Sequence, residues 1–227
     1  MIKENIETIK KGNINYITEN RKVIRFKPWL SNIFSFLYDL AMVKSVFPKK
    51  LEASFGDHIR FLEDKYSGIH GKKVLELAAG SGHLAEILPS DNKYIGVDIS
   101  EGLLKIADKK FTKAGFEDFN LFLCSANDLP FSDDYFDVCV CNLSLNFFDD
   151  VKSVMYEVKR VLKGQGKFLC SVPVPERKKG GNNIRGKLYS ENELKNMFEE
   201  TGFKFSSYEF KNGSLLYFEG EYEKKNK

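Results

Sequence analysis

The segment Val74-Leu75-Glu76-Leu77-Ala78-Ala79-Gly80-Ser81-Gly82 joins a short run of large apolar residues to a run of small ones. Such an apolar run, bounded by turn residues, predicts a buried strand. Gly80-Ser81-Gly82 then predicts a sharp turn into a helix whose free amides face a ligand. The apolar positions of that helix are Leu84, Ile87 and Leu88. Glu76 stands out, because a carboxylate near the end of an inner strand is costly without a partner. It suits a cationic group such as an ammonium.

Short apolar runs and amphipathic stretches alternate on the carboxyl-terminal side of this segment. Further strands are predicted at 94–98, 121–124, 138–141, 167–172, 203–210 and 214–220. Helical spacing recurs at Leu103, Leu104, Ala107 and Phe111, at Val151, Val154, Met155, Val158 and Leu162, and after the capping box that opens at Ser190. Asn212-Gly213 predicts a hairpin between the last two strands. The pattern predicts an α/β fold: a doubly wound, mostly parallel, seven-stranded sheet with a carboxyl-terminal antiparallel hairpin.

The region before residue 69 has a different residue pattern. Residues 1–28 are polar and have no clear period, so no element is assigned to them. The aromatic stretch from Trp29 predicts a helix that runs to Phe47 and ends at Pro48. A second helix is predicted from the spacing of Phe55, Ile59, Leu62 and Tyr66. We therefore divide the chain into an amino-terminal helical cap or lid, residues 1–68, and an α/β domain, residues 69–227. Packing is the expected role of residues 29–36, and a substrate lid or a membrane-surface contact is the alternative.

Composition and charge exclude several classes of protein. The 35 basic and 32 acidic residues give a formal net charge of +3, which does not favour nucleic-acid binding. The four cysteines, Cys124, Cys139, Cys141 and Cys170, lie in apolar runs without zinc-ligand spacing. They are expected to be buried thiols, and no metal site is predicted. No apolar stretch reaches the ~20 residues that span a bilayer, and no signal-peptide core is present, so a cytoplasmic protein is expected.

The residues that end the predicted strands are the candidate site, because ligands of open α/β sheets bind beyond the strand carboxyl ends. Asp98 can accept both hydroxyls of a ribose, although it can also simply cap the next helix. The turn from Ser125 to Phe131 can clasp an adenine edge, although Asp128 can be an ordinary turn residue. Asn142 ends the fourth strand. His83 is expected to point to solvent, and His58 to be a core histidine.

These residues together resemble the motifs of class I S-adenosylmethionine-dependent methyltransferases. Residues 74–82 resemble motif I, residues 96–100 resemble motif II, and residues 126–131, 136–137 and 157–167 resemble the later signatures. The resemblance covers roughly residues 70–220 and implies a Rossmann-like fold. The Leu-Ala-x-Gly core of motif I and the pair Tyr38-Asp39 are also similar to quinone-ring C-methyltransferases.

The resemblance implies a role for each motif residue. Glu76 would bind the ammonium of S-adenosylmethionine, and the turn from Ala78 through Gly80, Ser81 and Gly82 would cradle its methionine and ribose. Asp98 would hold the ribose hydroxyls and Ile99 would lie against the adenine. Ser125, Ala126 and Asn127 would line the adenine edge, and Asn142 would contact the methionine part. Many relatives have glycine at the position of Ala78 and an acidic residue at that of Ser125.

The expected function is methyl transfer from S-adenosylmethionine to a small-molecule acceptor. No catalytic residue is assigned, because an activated methyl needs placement more than a base. The charged loop at 173–189 either closes over substrate or is a solvated connection. Two other classes stay open: an NAD-dependent oxidoreductase, suggested by the glycine pattern, and a non-catalytic cofactor-binding partner protein.

Overall fold

The computed structural model describes residues 1–20, 22–26, 37–180 and 184–223. Its strands are β1 (Glu7–Lys11), β2 (Ile14–Glu19), β3 (Lys22–Val23), β4 (Lys73–Leu77), β5 (Lys93–Asp98), β6 (Phe119–Leu123), β7 (Phe136–Asn142), β8 (Leu162–Pro173), β9 (Phe203–Ser207) and β10 (Leu215–Tyr222). Its α-helices are α1 (Tyr38–Ala41), α2 (Phe55–Tyr66), α3 (Glu101–Lys113), α4 (Val151–Val161) and α5 (Glu191–Thr201). No helix among these residues is long and apolar enough to cross a membrane.

One sheet runs through the described residues, in the order β1-β2-β6-β5-β4-β7-β8-β10-β9, with β3 paired to β2. The strands from β6 to β8 are parallel, and β10 is antiparallel to both β8 and β9. Buried side chains form one cluster on each face of the sheet, with α4 and α5 on one side and α2 and α3 on the other. The prediction of a doubly wound, mostly parallel α/β sheet with an antiparallel carboxyl-terminal hairpin is confirmed.

The predicted number of seven strands is wrong, because residues 7–23 add three more. β2 pairs in parallel with β6, and its Ile14, Tyr16 and Ile17 are buried in the two apolar clusters. The amino-terminal region therefore begins with strands, and helix starts only within its second half. The division at residue 68 into a cap and an α/β domain stays a prediction. The aromatic stretch 29–36 lies outside the described residues.

Two predicted helices have different bounds. The helix after the glycine turn is a single 3-10 turn, His83–Glu86, since Pro89 follows closely and cannot continue a helix. The helix expected to end at Pro48 instead continues as a π-helix, Met42–Leu51. Proline disrupts the ordinary i→i−4 ladder, and the wider π turn carries the chain past it.

The remaining sequence-based elements are confirmed. The four apolar positions predicted for α3 are all buried, and Ser190 and Glu193 form the predicted capping box at α5. The four cysteines are buried free thiols. Asn212 and Gly213 do turn the chain between β9 and β10, but Asn212 also exchanges two hydrogen bonds with the backbone of Ser54, at 2.7 and 2.9 Å. That exchange fixes the start of α2 against the turn.

Candidate functional site

The site lies where the sheet changes its winding direction. β4 is hydrogen-bonded to β5 on one side and to β7 on the other, so successive crossovers diverge from it. In doubly wound sheets a crevice opens at this point, beyond the carboxyl ends of the strands. Glu76, Asp98 and Asn142 stand at or next to the carboxyl ends of these three strands.

A cavity of about 800 Å³ occupies this crevice. Its lining comes from the turns after the strands and from the α1 and π-helical segment. Most of its lining is apolar. Its lining residues include Phe26, Leu37, Tyr38, Met42, Val46, Leu51, Ala78, Gly80, Asp98, Ile99, Leu103, Ser125, Ala126, Asn127, Asn146, Phe147, Phe148, Ile184 and Arg185. The volume is that of a site for a small molecule of drug or cofactor size.

The glycine turn presents backbone to the cavity. Ala78, Gly80 and Gly82 all have positive φ, at 50°, 55° and 75°, so the chain reverses direction within a few residues. Gly80 lines the cavity directly. Gly82 does not, and a Cβ there would lie 2.8 Å from the Cα of Ala107 in α3. Gly80 therefore gives a ligand access to the backbone, whereas Gly82 allows the turn to pack against a helix.

Asp98 is fixed at the cavity wall by the backbone. One of its oxygens accepts a hydrogen bond from the N–H of Gly80, at 2.9 Å, and the other from the N–H of Ser100, at 2.8 Å. Burial raises the pKa of Asp98, and these backbone donors offset part of the rise. Each carboxylate oxygen keeps acceptor capacity for a ligand hydroxyl. Ser100, not Asp98, caps α3 with its side chain.

Glu76 is buried beside a second, smaller cavity of about 70 Å³ that adjoins the first. The hydroxyl of Tyr94 donates to its Oε2 at 2.5 Å. Burial raises the pKa of Glu76 to about 8, although the bond from Tyr94 opposes the rise. Asn142 lines the same small cavity, and its Oδ1 accepts from Ser171 and Tyr66 at 3.0 and 3.3 Å. The two cavities share the lining residues Tyr38, Met42, Ala78, Gly80, Leu143 and Ser144.

The turn after β6 is held by its own side chains. Ser125 Oγ lies 3.3 Å from Asn127 Oδ1, and Asn127 Nδ2 donates to the carbonyl of Asp150 at 3.1 Å. Ala126 is buried between them, and Ile99, 37% exposed, flanks the cavity. The structure therefore gathers Ala78, Gly80, Asp98, Ile99, Ser125, Ala126 and Asn127 at the large cavity and places Glu76, Ser81 and Asn142 at the small one. Gly82 lies outside both linings.

The α1 segment contributes Tyr38 and Asp39, which the sequence analysis named only for a resemblance. Tyr38 lines both cavities, and burial together with Asp98 and Asp39 raises its pKa to about 12. Asp39 accepts hydrogen bonds from Ser81 Oγ at 2.5 Å and Lys110 Nζ at 2.7 Å. Burial would raise the pKa of Asp39, but its bonds to His83, Lys110 and Ser81 hold it well below its usual range. Asp39 thus ties the cavity wall to the glycine turn.

The two histidines of the region have different environments. His83 was expected to point to solvent; instead its Nε2 lies 3.1 Å from the Asp39 carboxylate, because the α1 segment covers the glycine turn. His58 is the satisfied core histidine that the sequence predicts, with its Nδ1 2.9 Å from the Tyr217 hydroxyl. Burial lowers the pKa of His58 to about 3, so it is neutral.

Comparisons with known proteins agree with this architecture. Residues 75–170 match the family model described as a methyltransferase domain. The chain is 37% identical over 98 residues to the uncharacterized methyltransferase YcgJ of Bacillus subtilis, covering 43% of this chain and 39% of YcgJ. It is 36% identical over 106 residues to a demethylmenaquinone methyltransferase of Symbiobacterium thermophilum, covering 44% and 42% of the two chains. It therefore spans about two fifths of the length of these curated relatives.

A solved structure shows the same fold. The crystal structure of a SAM-dependent methyltransferase from Aquifex aeolicus matches with a TM-score of 0.62 at 18% identity, covering 82% of this chain and 96% of that one. The fold and the site geometry thus define a doubly wound α/β protein with a ligand cavity at its switch point. Residues 75–170 match the methyltransferase-domain family, and the fold is that of the solved SAM-dependent methyltransferase.

Proposed function

We propose that this protein binds S-adenosylmethionine across the two adjoining cavities and transfers its methyl group to a small-molecule acceptor. One observation carries the proposal: Glu76 and Asp98 stand at neighbouring strand ends on either side of the glycine turn, each against a cavity. That pair of carboxylates matches the two polar ends of this cofactor, an ammonium and a ribose diol. The membership of residues 75–170 in the methyltransferase-domain family supports the same reading.

The cavity residues fit the cofactor. Asp98 keeps free acceptor capacity on both oxygens, and adjacent hydroxyls of a ribose need such a pair of acceptors. Glu76 is buried, and its hydrogen-bond partner Tyr94 is neutral. The ammonium of the cofactor would supply the positive charge that a buried carboxylate needs as a partner. Ile99 and Ala126 offer apolar surface for the adenine ring. Ser125 Oγ donates to Asn127 and Asn127 Nδ2 donates to Asp150, so these bonds fix the turn that would line the adenine edge.

The bound cofactor would supply an already activated sulfonium methyl. The chain itself would position the acceptor and exclude water, as its largely apolar lining favours. Tyr38 holds its proton because its pKa is raised to about 12, so it serves as a hydrogen-bond donor and not as a base. No side chain of the site is assigned as a general base.

Titration calorimetry with S-adenosylmethionine, S-adenosylhomocysteine and NAD tests the cofactor assignment. We expect binding of the first two, weakened by about tenfold or more in Asp98→Ala and in Glu76→Gln, since each variant removes a charge-assisted bond. Asp118→Ala, whose carboxylate is half exposed and pairs with Lys93 outside the cavity, is the matched control and should bind normally. Binding of NAD alone, or of none of the three, would overturn the proposal.

An acceptor screen with labelled S-adenosylmethionine then tests methyl transfer. The relative from Symbiobacterium thermophilum is named for demethylmenaquinone, so a short-chain analogue of that quinone belongs in the first panel. Transfer to any small acceptor supports an enzyme. A protein that binds the cofactor but methylates nothing in a broad panel would fit the partner-protein alternative instead.

A further inference from the structure

Asn146 carries a hydrogen-bond acceptor that the fold does not use. The residue is only 2% exposed and follows β7 in a short 3-10 turn, Leu145–Phe147, that lines the large cavity. Its Oδ1 is buried and has no hydrogen-bond partner among the described residues. A buried acceptor without a partner costs free energy, and native proteins rarely leave one in that state. This oxygen therefore has acceptor capacity that the described residues do not use.

The orientation of the Asn146 amide is fixed by its surroundings. Its Nδ2 donates to the carbonyl of Arg185 at 2.6 Å, and its own carbonyl accepts from the N–H of Lys187 at 2.8 Å. Reversing the amide would set two acceptors against each other at Arg185. Gly186 lies so close to the Asn146 backbone that a Cβ there would overlap it. The loop thus uses the amide nitrogen and leaves the oxygen for a ligand.

The surroundings of Asn146 differ from those of the proposed cofactor residues. Phe147 and Phe148 follow it, and Met42, Val46 and Leu51 lie in the wall that the π-helix provides. All five are apolar residues of the cavity lining. Asp98, the diol-binding candidate, ends β5, and the Asn146 turn follows β7, on the other side of β4. An apolar region beside the cofactor strands has the character of an acceptor site.

We propose that this part of the cavity binds the methyl acceptor, and that the acceptor is an apolar, ring-sized molecule whose hydroxyl or N–H group donates to Asn146 Oδ1. This inference rests on the proposed function, because it takes the remaining cavity for the cofactor. Asn146 is then a specificity-determining residue. It distinguishes acceptors that carry a donor from apolar molecules of the same shape.

Matched ring probes test the inference on protein saturated with S-adenosylhomocysteine. The probes are 2-naphthol against naphthalene, and indole against 1-methylindole, titrated by calorimetry or fluorescence. The preference is the affinity for the donor-bearing probe divided by that for its partner without a donor. For at least one pair we expect this ratio to fall about five- to tenfold in Asn146→Ala, the effect of one hydrogen bond. The first pair reports on a hydroxyl and the second on an N–H.

Two further variants separate recognition from loop structure. Asn146→Asp keeps an acceptor oxygen but loses the bond to Arg185, so it should retain the preference that Asn146→Ala loses. Phe147→Ala should weaken both members of a pair equally. If all three variants change the preference alike, or if the wild type shows none for either pair, the inference is wrong.

Failure of the proposed function can be distinguished from failure of this inference. Absence of S-adenosylhomocysteine binding overturns the cofactor assignment, and the same probe titrations on the protein alone still test Asn146.

Discussion

At the scale of single residues, the proposed role of Glu76 predicts how cofactor binding should depend on pH. Its pKa is raised to about 8 by burial, with Tyr94 as its hydrogen-bond partner and Asp98 as the nearby charge. Below that pH the free protein holds Glu76 protonated, and an ammonium ligand favours the ionised form. Binding should therefore release a proton, and affinity for S-adenosylhomocysteine should rise by up to about tenfold per pH unit between pH 5.5 and 7.5.

Calorimetry across that range checks this dependence. Glu76→Gln should bind more weakly and with little change across the same pH window, because the side chain no longer titrates. Buffers of different ionisation enthalpy report the released proton directly. A wild-type affinity that is flat with pH would show that Glu76 is already ionised in the free protein.

The Glu76 carboxylate also contributes to the free energy of unfolding, and this contribution decreases with rising pH, whereas the affinity for the ligand increases. A raised pKa in the folded state means that the native protein binds more protons than the unfolded chain between pH 4.5 and about 8. The contribution of Glu76 is therefore fully present below pH 4.5 and is lost as pH rises through about 8. A bound ammonium lowers the Glu76 pKa and removes this loss.

Two glycines with positive φ, one in the turn after β4 and one after α3, separate the cost of backbone strain from that of steric contact. Gly82 and Gly115 both have positive φ, at 75° and 80°, but a Cβ at Gly82 would lie 2.8 Å from Ala107, whereas nothing lies within 4 Å of one at Gly115. Gly115→Ala should cost about 1 kcal/mol from the backbone alone, and Gly82→Ala about 2–4 kcal/mol because overpacking is added. Urea denaturation of both variants measures the two costs. Equal costs would mean that α3 moves aside freely.

The sequence predicted the two carboxylates at the strand ends but not all of the residues around the cavities. Glu76 and Asp98 were predicted because a carboxylate at an inner strand end is unusual in itself. Asn146 was missed, since one asparagine in a turn carries no sequence signal; its unpartnered oxygen is visible only in three dimensions. Asp39 was noted only as part of a resemblance, because its partners Ser81 and Lys110 lie 42 and 71 positions away.

At the scale of elements, α2 is joined to β10 by a buried polar chain. Asn212 Nδ2 donates to the Tyr217 hydroxyl at 3.3 Å, and that hydroxyl is hydrogen-bonded to His58 Nδ1 at 2.9 Å. His58 is neutral in the folded protein, because its ring is buried. Burial, with the nearby His83 charge as a smaller cause, lowers its pKa to about 3.

Acid should weaken this connection. The histidine of the unfolded chain has a pKa of about 6.5, so the unfolded chain binds more protons than the folded protein between pH 6.5 and 3. The free energy of unfolding therefore decreases as the pH is lowered across that window. The loss from His58 should reach up to about 1.4 kcal/mol per pH unit. His58→Gln keeps an acceptor for Tyr217 without titrating, so its urea midpoint should fall less between pH 6.5 and 4.5. Parallel curves for the two proteins would contradict the assignment.

Helices and inner strands were predicted well because their apolar periodicity is strong. The amino-terminal strands were missed, because β1 is mostly exposed and presents no clear alternation. The predicted end of the helix at Pro48 was wrong, because a π turn accommodates a proline that an α turn does not. In each case the element depends on long-range pairing or unusual backbone geometry, neither of which local sequence reports.

At the scale of the whole molecule, the amino-terminal hairpin completes the sheet and its core. β2 covers the edge of β6, where Asn15 Nδ2 donates to the Leu121 carbonyl at 3.2 Å and Leu121 donates its N–H to the Asn13 carbonyl at 2.9 Å. An uncovered parallel edge would offer unpaired backbone groups to other chains. β6 also leads into the turn proposed to hold the adenine, so the hairpin supports the site indirectly.

Two isoleucines of this hairpin test whether it belongs to the cooperative fold. Ile14 is 3% exposed and packs in the cluster that contains α3, whereas Ile9, on the adjacent strand, is 43% exposed. Ile14→Ala should destabilise the protein by about 2–4 kcal/mol through lost burial and a cavity, and Ile9→Ala by about 0.5 kcal/mol or less. Chemical denaturation measures both changes. If the two variants are equally mild, residues 7–23 are not part of the cooperative core, and the sheet that unfolds as a unit begins at β4.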